Sequence, residues 1–235
     1  MTFFNPTEPI LRSKQEALDF QDRQGLINLH LRIRNKTIFS TFYTRIDQVF
    51  LLWGIISPAI FISAQFIHIS WMIQAGYLTA LTLIGTVGMV ALSHFWVKVE
   101  RLRWVLYCWV ILMLGGVVLT DCSIFLGWGE VLMRLCTLWL GLIAFGYLCT
   151  GVGMRSRAFV TASIVHLLGI ATLPYVGAWQ FLTTAIVMGA SLLIFAAVQW
   201  DMRPPIKYNL LTLEQKQFNE KQYQLRQTPV SVGGL

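Results

Sequence analysis

The sequence predicts an all-α integral membrane protein: six transmembrane helices in a compact antiparallel bundle, with both termini in the cytoplasm. Three observations lead there. Of 235 residues, 56% are hydrophobic and only 12% charged, where a soluble domain carries about 25% charged residues. A single water-soluble domain buries at most about three quarters of its surface, so a chain of mean hydropathy +0.62 needs lipid as its solvent. Six stretches approach the ~20 apolar residues that cross a hydrocarbon core, and the basic residues between them fall in a regular alternation.

Residues 1–47 form a polar and amphipathic cytoplasmic segment. "MTFFNPTEP" reads as irregular. "SKQEALDFQDRQ" reads as a helix with Ser13 as N-cap and Glu16 three residues on, a capping box, ended by Gly25. Residues 29–34 alternate apolar and basic positions, which suits an extended strand or a basic stretch lying on the membrane surface. The surface reading is favoured, because no partner strand is evident. The spans follow at about 48–67, 73–97, 104–121, 131–153, 159–176 and 179–200, making 48–200 the transmembrane domain. Their links are short, so each helix lies beside its predecessor. Residues 201–235 form a cytoplasmic tail. Within it a surface helix is expected, with Leu211, Phe218 and Leu225 at heptad spacing, before a disordered "TPVSVGGL".

Basic residues resist translocation, so their placement sets orientation. Seventeen of the 18 Lys and Arg residues fall in the N-terminal segment, the second-to-third link, the fourth-to-fifth link and the tail. Only Arg134 stands apart. Both ends are therefore expected inside the cell, with the bundle in the inner membrane or, in a photosynthetic cell, the thylakoid membrane. The polypeptide begins with polar residues, so no cleaved signal peptide is expected. The same bias accounts for the net charge of +7 without nucleic acid; the basic links face anionic lipid headgroups.

Ionisable residues inside a membrane are costly and mark function by default. No Asp, Glu or Lys lies at mid-depth of a span, which argues against ion-coupled transport, a retinal Schiff base and a diaspartyl protease. His166 is the deepest ionisable side chain; Ala158, Ala162 and Gly169 share its face, so it points at a neighbouring helix. It could bind a pigment, haem or quinone together with His94, or donate one structural hydrogen bond to a Ser or Thr across the bundle. The structural bond is favoured, and no cofactor is assigned. Pro58 kinks the first span and, with Gln65, could line a cavity. Glu130 and Arg134 stand four apart at the opposite face and are expected to form an ion pair. The nine tryptophans read as interfacial belts, and the Gly-rich second and fourth spans as central packing elements.

Cys108, Cys122, Cys136 and Cys149 have no metal-ligand or redox spacing, and neither a P-loop nor a GxGxxG occurs. With no catalytic set identified, the expected function is non-catalytic: an assembly, scaffold or accessory factor that contacts a membrane-protein partner. Two alternatives stand beside it. One is a pigment-, haem- or quinone-binding protein; the other is a small transporter or channel for a neutral or anionic solute.

Overall fold

The structure, a computed structural model, describes residues 3–5, 9–33, 36–204 and 210–227. In chain order its elements begin with β1 (Leu11–Arg12), α1 (Phe20–Arg23), β2 (Ile27–Ile33), β3 (Lys36–Tyr43) and α2 (Arg45–Phe66). They continue with α3 (Trp71–Val99), α4 (Arg103–Phe125), α5 (Gly129–Met133), α6 (Leu135–Met154) and α7 (Arg157–Thr172). The last are α8 (Gln180–Ala197), β4 (Gln199–Trp200) and α9 (Leu213–Gln227). Six of these helices are long and apolar enough to cross a membrane: α2, α3, α4, α6, α7 and α8, with 3-10 turns joining α7 to α8. The protein is thus a multi-pass membrane protein with a helical bundle.

The helices pack as a ring. Each of α2, α3, α4, α6, α7 and α8 lies against its neighbour in that order, and α8 returns to α2. Close approach at this last seam depends on glycine: a Cβ at Gly189 would lie 2.5 Å from Cγ of Pro58, and one at Gly54 would lie 3.0 Å from Leu193. At two other seams a tryptophan ring packs against a glycine, Trp53 at Gly85 between α2 and α3, and Trp109 at Gly146 between α4 and α6. The fourth span is the central one as expected: 56% of the most apolar stretch of α6 is buried, against 33% for α3, which sits no deeper than α4 or α8.

Local sequence explains the ends. Thr44 accepts a hydrogen bond from the Asp47 amide at 3.2 Å while the Asp47 carboxylate accepts from the Thr44 amide at 2.9 Å, a capping box opening the first span. The capping box expected at Ser13 and Glu16 does not form; residues 13–19 are non-helical and α1 is a single turn starting after Asp19. α3 and α6 end alike. Arg101 and Arg155 both take the left-handed conformation (φ 54° in each), and the next amide reaches back to the carbonyl five residues before it, Leu102 to Val97 at 2.8 Å and Ser156 to Gly151 at 2.9 Å.

The stretch favoured as a basic segment lying on the membrane surface instead takes the extended alternative, as part of a hairpin. β2 pairs antiparallel with β3, Ile27 opposite Tyr43 and Leu31 opposite Phe39. The partner strand is the very next segment, whose hydrophobic alternation is blurred by Thr37, Ser40 and Thr41. The tail helix forms as expected, but not on its heptad face: Leu211 is buried, Phe218 half-buried and Leu225 exposed, while Asn219 and Gln222 point inward. "TPVSVGGL" lies outside the described residues.

The α2–α8 seam yields a test. Gly189→Ala should lower stability by about 1–3 kcal/mol, as expected for overpacking against an unyielding ring. Gly115→Ala, whose Cβ meets nothing within 4 Å, should be neutral or slightly stabilising. Thermal unfolding in mild detergent compares the two.

Candidate functional site

The described parts of the N-terminal segment and of the tail build a cap over one end of the bundle. β1 pairs with β4, Leu11 opposite Trp200 and Arg12 opposite Gln199, so the chain's beginning lies beside the exit of the last span. Gln15 and Gln199 exchange hydrogen bonds at 3.2 and 3.3 Å. Lys14 bonds Asp47 at 2.8 Å, tying the N-terminal segment to the start of α2. The tail helix docks through polar groups: Asn219 accepts from the Phe20 amide at 2.7 Å and donates to Gln21 at 2.9 Å, and Arg226 bonds Asp19 at 2.9 Å. Arg23 covers the Phe218 ring.

Asp201, just past β4, caps α7 from outside that helix. Its carboxylate accepts from the Ser156 hydroxyl at 2.9 Å and from the amides of Arg157 and Ala158 at 2.9 and 3.0 Å. It therefore satisfies the donors that a helix start leaves open, and meets the positive end of the helix dipole. Gln65 does the same service at the far end of the bundle, accepting from Leu182 at 3.3 Å and donating to the Ala178 carbonyl at 3.1 Å.

At the centre of the cap lies a polar compartment of about 100 Å³. Four carboxyl groups line it, those of Asp19, Asp22, Asp47 and Glu100, together with Arg12, Arg203 and Arg226. Asp19 is paired with Arg226; Asp22 accepts from the Trp96 indole at 2.8 Å; Glu100 accepts from Gln21 at 2.9 Å, with the Arg203 guanidinium 3.9 Å from its second oxygen. Arg203 also donates to the Glu100 carbonyl. Burial pushes the Asp22 and Glu100 carboxyl groups up to about 7, and the Asp19 charge beside each adds to the rise. Burial raises Asp19 as well, outweighing Arg226.

Beneath the cap an apolar compartment of about 120 Å³ opens inside the bundle. Trp53, Trp109, Tyr147, Met89, Met113 and Phe159 are among its walls, drawn from α2, α3, α4, α6 and α7. Phe159, Phe195, Phe50 and Trp200 form an aromatic cluster next to it, with ring centres 4.6–6.1 Å apart. Trp96 and Ile46 line both compartments.

The residues singled out in the sequence fall elsewhere. His166 is fully buried on the predicted face with Ala158, Ala162 and Gly169. Its Nδ1 donates to the Ala162 carbonyl of its own helix at 2.8 Å rather than meeting a Ser or Thr across the bundle, and its ring packs on Tyr147. His94 is exposed on α3. α3 packs chiefly on α2 and α4, and α7 on α6 and α8, so the two histidines do not share a site. Pro58 fits against Gly189 and Gln65 caps α8; neither lines either compartment. Glu130 and Arg134 form no ion pair: α5 ends at Met133 and the chain turns at Arg134 (φ −108°, ψ 21°), which breaks the four-residue helical spacing. Asp121 instead accepts from Thr79 at 2.9 Å. Trp71, Trp104, Trp128 and Trp179 are exposed near helix ends as belts require, whereas Trp53, Trp96, Trp109, Trp139 and Trp200 turn inward. Among the described residues no group of three or more potential ligands could hold a metal ion.

The sequence reading missed Asp19, Asp22, Glu100, Asp201 and Arg226. One signal was present: nine of the 11 acidic residues, all but Asp121 and Glu130, lie in or beside the cationic segments, where partners of opposite charge are to be expected. No protein family, curated protein or solved structure matches the chain.

The raised carboxyls set a pH dependence. Their folded values lie above the ordinary ones of 3.8 and 4.5, so the folded cap holds protons that the unfolded chain releases. Stability should therefore fall as pH rises from about 4 to about 7 and level off above. Between pH 6 and 8 each group contributes about 1 kcal/mol to the slope. Glu100→Gln or Asp22→Asn should flatten that slope in thermal unfolding measured across this range.

Proposed function

We propose that this protein is a non-catalytic membrane factor that works by contact, as an assembly, scaffold or accessory subunit of a larger membrane complex. Its cap faces the cytoplasm, and the bundle sits in the inner membrane. The orientation is supported by contacts that gather both termini and two cationic links at one end: Arg203 with Glu100, Asp201 with Arg157, and Asp19 with Arg226. Seventeen of 18 basic residues belong to those segments, as the positive-inside rule demands.

The observation that best supports contact as the function is how the cap spends its polar groups. Asp19, Gln21, Asp47, Asp201, Asn219 and Arg226 each join two separate stretches of chain. Ordering two termini is costly in conformational entropy, and the product is a fixed surface made of hairpin, tail helix and links. Such a surface is pre-organised for a partner, which reduces the ordering that binding must impose.

Purification of the tagged full chain from mild detergent should yield a second membrane protein in fixed stoichiometry. The double variant Asn219→Ala/Arg226→Ala, which frees the tail helix, should lose that protein while the bundle stays folded by circular dichroism. A wild-type chain that purifies alone as a monomer or homodimer contradicts the proposal.

A further inference from the structure

We propose that the apolar compartment inside the bundle binds the head ring of a lipophilic 1,4-quinone, with the Trp53 indole and the Tyr147 hydroxyl as its two hydrogen-bond donors.

Two donors with nothing to donate to mark the compartment as a ligand site. The other polar side chains in its walls are spent. The Ser57, Ser93 and Thr150 hydroxyls donate to carbonyls of their own helices at 2.7, 2.6 and 2.8 Å. Of the three indoles, Trp96 donates to Asp22 at 2.8 Å and Trp109 to Thr150 at 2.9 Å. The third, that of Trp53, and the Tyr147 hydroxyl are buried and have no hydrogen-bond partner among the described residues. An unpaired buried donor costs the full desolvation of that group, so native proteins rarely leave one. Here two line a single cavity, and what the cavity lacks is acceptors. The histidines play no part in it: His94 is exposed, and His166 packs on Tyr147 with ring centres 5.0 Å apart but outside the lining.

Volume, walls and placement choose the ligand. The compartment's volume of about 120 Å³ is close to that of an engineered cavity of ~150 Å³ that takes up benzene, so it accepts one ring and not a phospholipid. Met89, Met113, Met154 and Met188 line it and can shift to admit ring substituents. Phe50, Trp53, Trp96, Trp109, Tyr147 and Phe159 supply aromatic surface, which suits a flat ring better than a flexible chain. Trp53 stands on α2 and Tyr147 on α6, three places apart in the ring of six helices and therefore on opposite walls. A 1,4-quinone carries a carbonyl oxygen at each end of one flat ring, so it accepts from both walls at once. It is uncharged, as a membrane cavity with no charged residue in its lining requires. This binding is independent of the partner surface proposed for the cap.

Duroquinone is the probe, and durene, the same methylated ring without its oxygens, is the matched control. Both are added to the full chain in nanodiscs and measured against empty nanodiscs by calorimetry and thermal shift. The expected result is saturable one-site binding of duroquinone, roughly tenfold or more tighter than that of durene. Methyl decanoate, a chain with one carbonyl, should also bind roughly tenfold more weakly. Tyr147→Phe and Trp53→Phe each remove one donor and keep an aromatic wall. Each should weaken duroquinone roughly three- to tenfold and leave durene unchanged. Met89→Trp, which fills the compartment, should abolish binding of both while unfolding stays cooperative. Equal binding of durene or methyl decanoate, or duroquinone binding unchanged in Tyr147→Phe and Trp53→Phe, overturns the site. A Tyr147→Phe chain that melts lower than wild type and binds duroquinone as well would assign the donors to buried water and equally overturn it.

Discussion

The return of α8 onto α2 is the constraint on which the remaining structure depends. Without it the six helices would form an open row, and the chain ends would emerge far apart. Gly54 and Gly189 let the two helix backbones approach until Pro58 fills the space a side chain would occupy. Inside lipid, where apolar surfaces gain little by leaving the solvent, such close packing is the main force that joins helices. Tryptophan rings packed against Gly85 and Gly146 apply the same principle at other seams, with large surfaces meeting small ones.

Closure brings Leu11 opposite Trp200, and the cap follows from that meeting. Each buried carboxylate in the cap is a desolvation cost that one good partner only partly offsets. Where partners are generous, as with the amides and hydroxyl around Asp201, the carboxylate ties the last span's exit to the start of α7. Where they are short, as at Asp22 and Glu100, the carboxyl is pushed toward neutrality. The contrast separates carboxylates that hold the fold from carboxyls that are available to respond to protons or ligands.

Much of the bundle was legible in the sequence because hydrophobicity and length are local properties. All six spans fall where the apolar runs predict, within a few residues, and His166 lies on the buried face that its small neighbours mark. The cap was harder to read because its interactions join residues far apart in sequence: Asp19 with Arg226, Gln21 with Asn219, Ser156 with Asp201. Read singly, the first of each pair resembles surface polarity or a local cap, and the Ser13–Glu16 pattern was a stronger local signal than the Thr44–Asp47 box that forms. The hairpin was missed for the opposite reason: its partner strand was adjacent, but Thr and Ser at the alternating positions hid the period. Membrane depth does not reveal which face a residue occupies, and His94 lies on the exposed face of α3; four-residue spacing brings Glu130 and Arg134 together only on an unbroken helix, and α5 ends at Met133.

Ring closure is tested most directly by cross-linking its ends in intact membranes. In a chain with Cys108, Cys122, Cys136 and Cys149 replaced by serine, Arg12→Cys and Gln199→Cys occupy opposed positions of the β1–β4 ribbon, where facing Cα atoms lie about 4.5–5.5 Å apart, within reach of a disulfide. Mild oxidation should link them within one chain and in high yield, while Arg12→Cys with Phe66→Cys, at the far end of α2, should give none. Failure of the first pair to link, or links that form only between chains, would show that the N-terminal segment does not reach the exit of the last span and would contradict the capped ring.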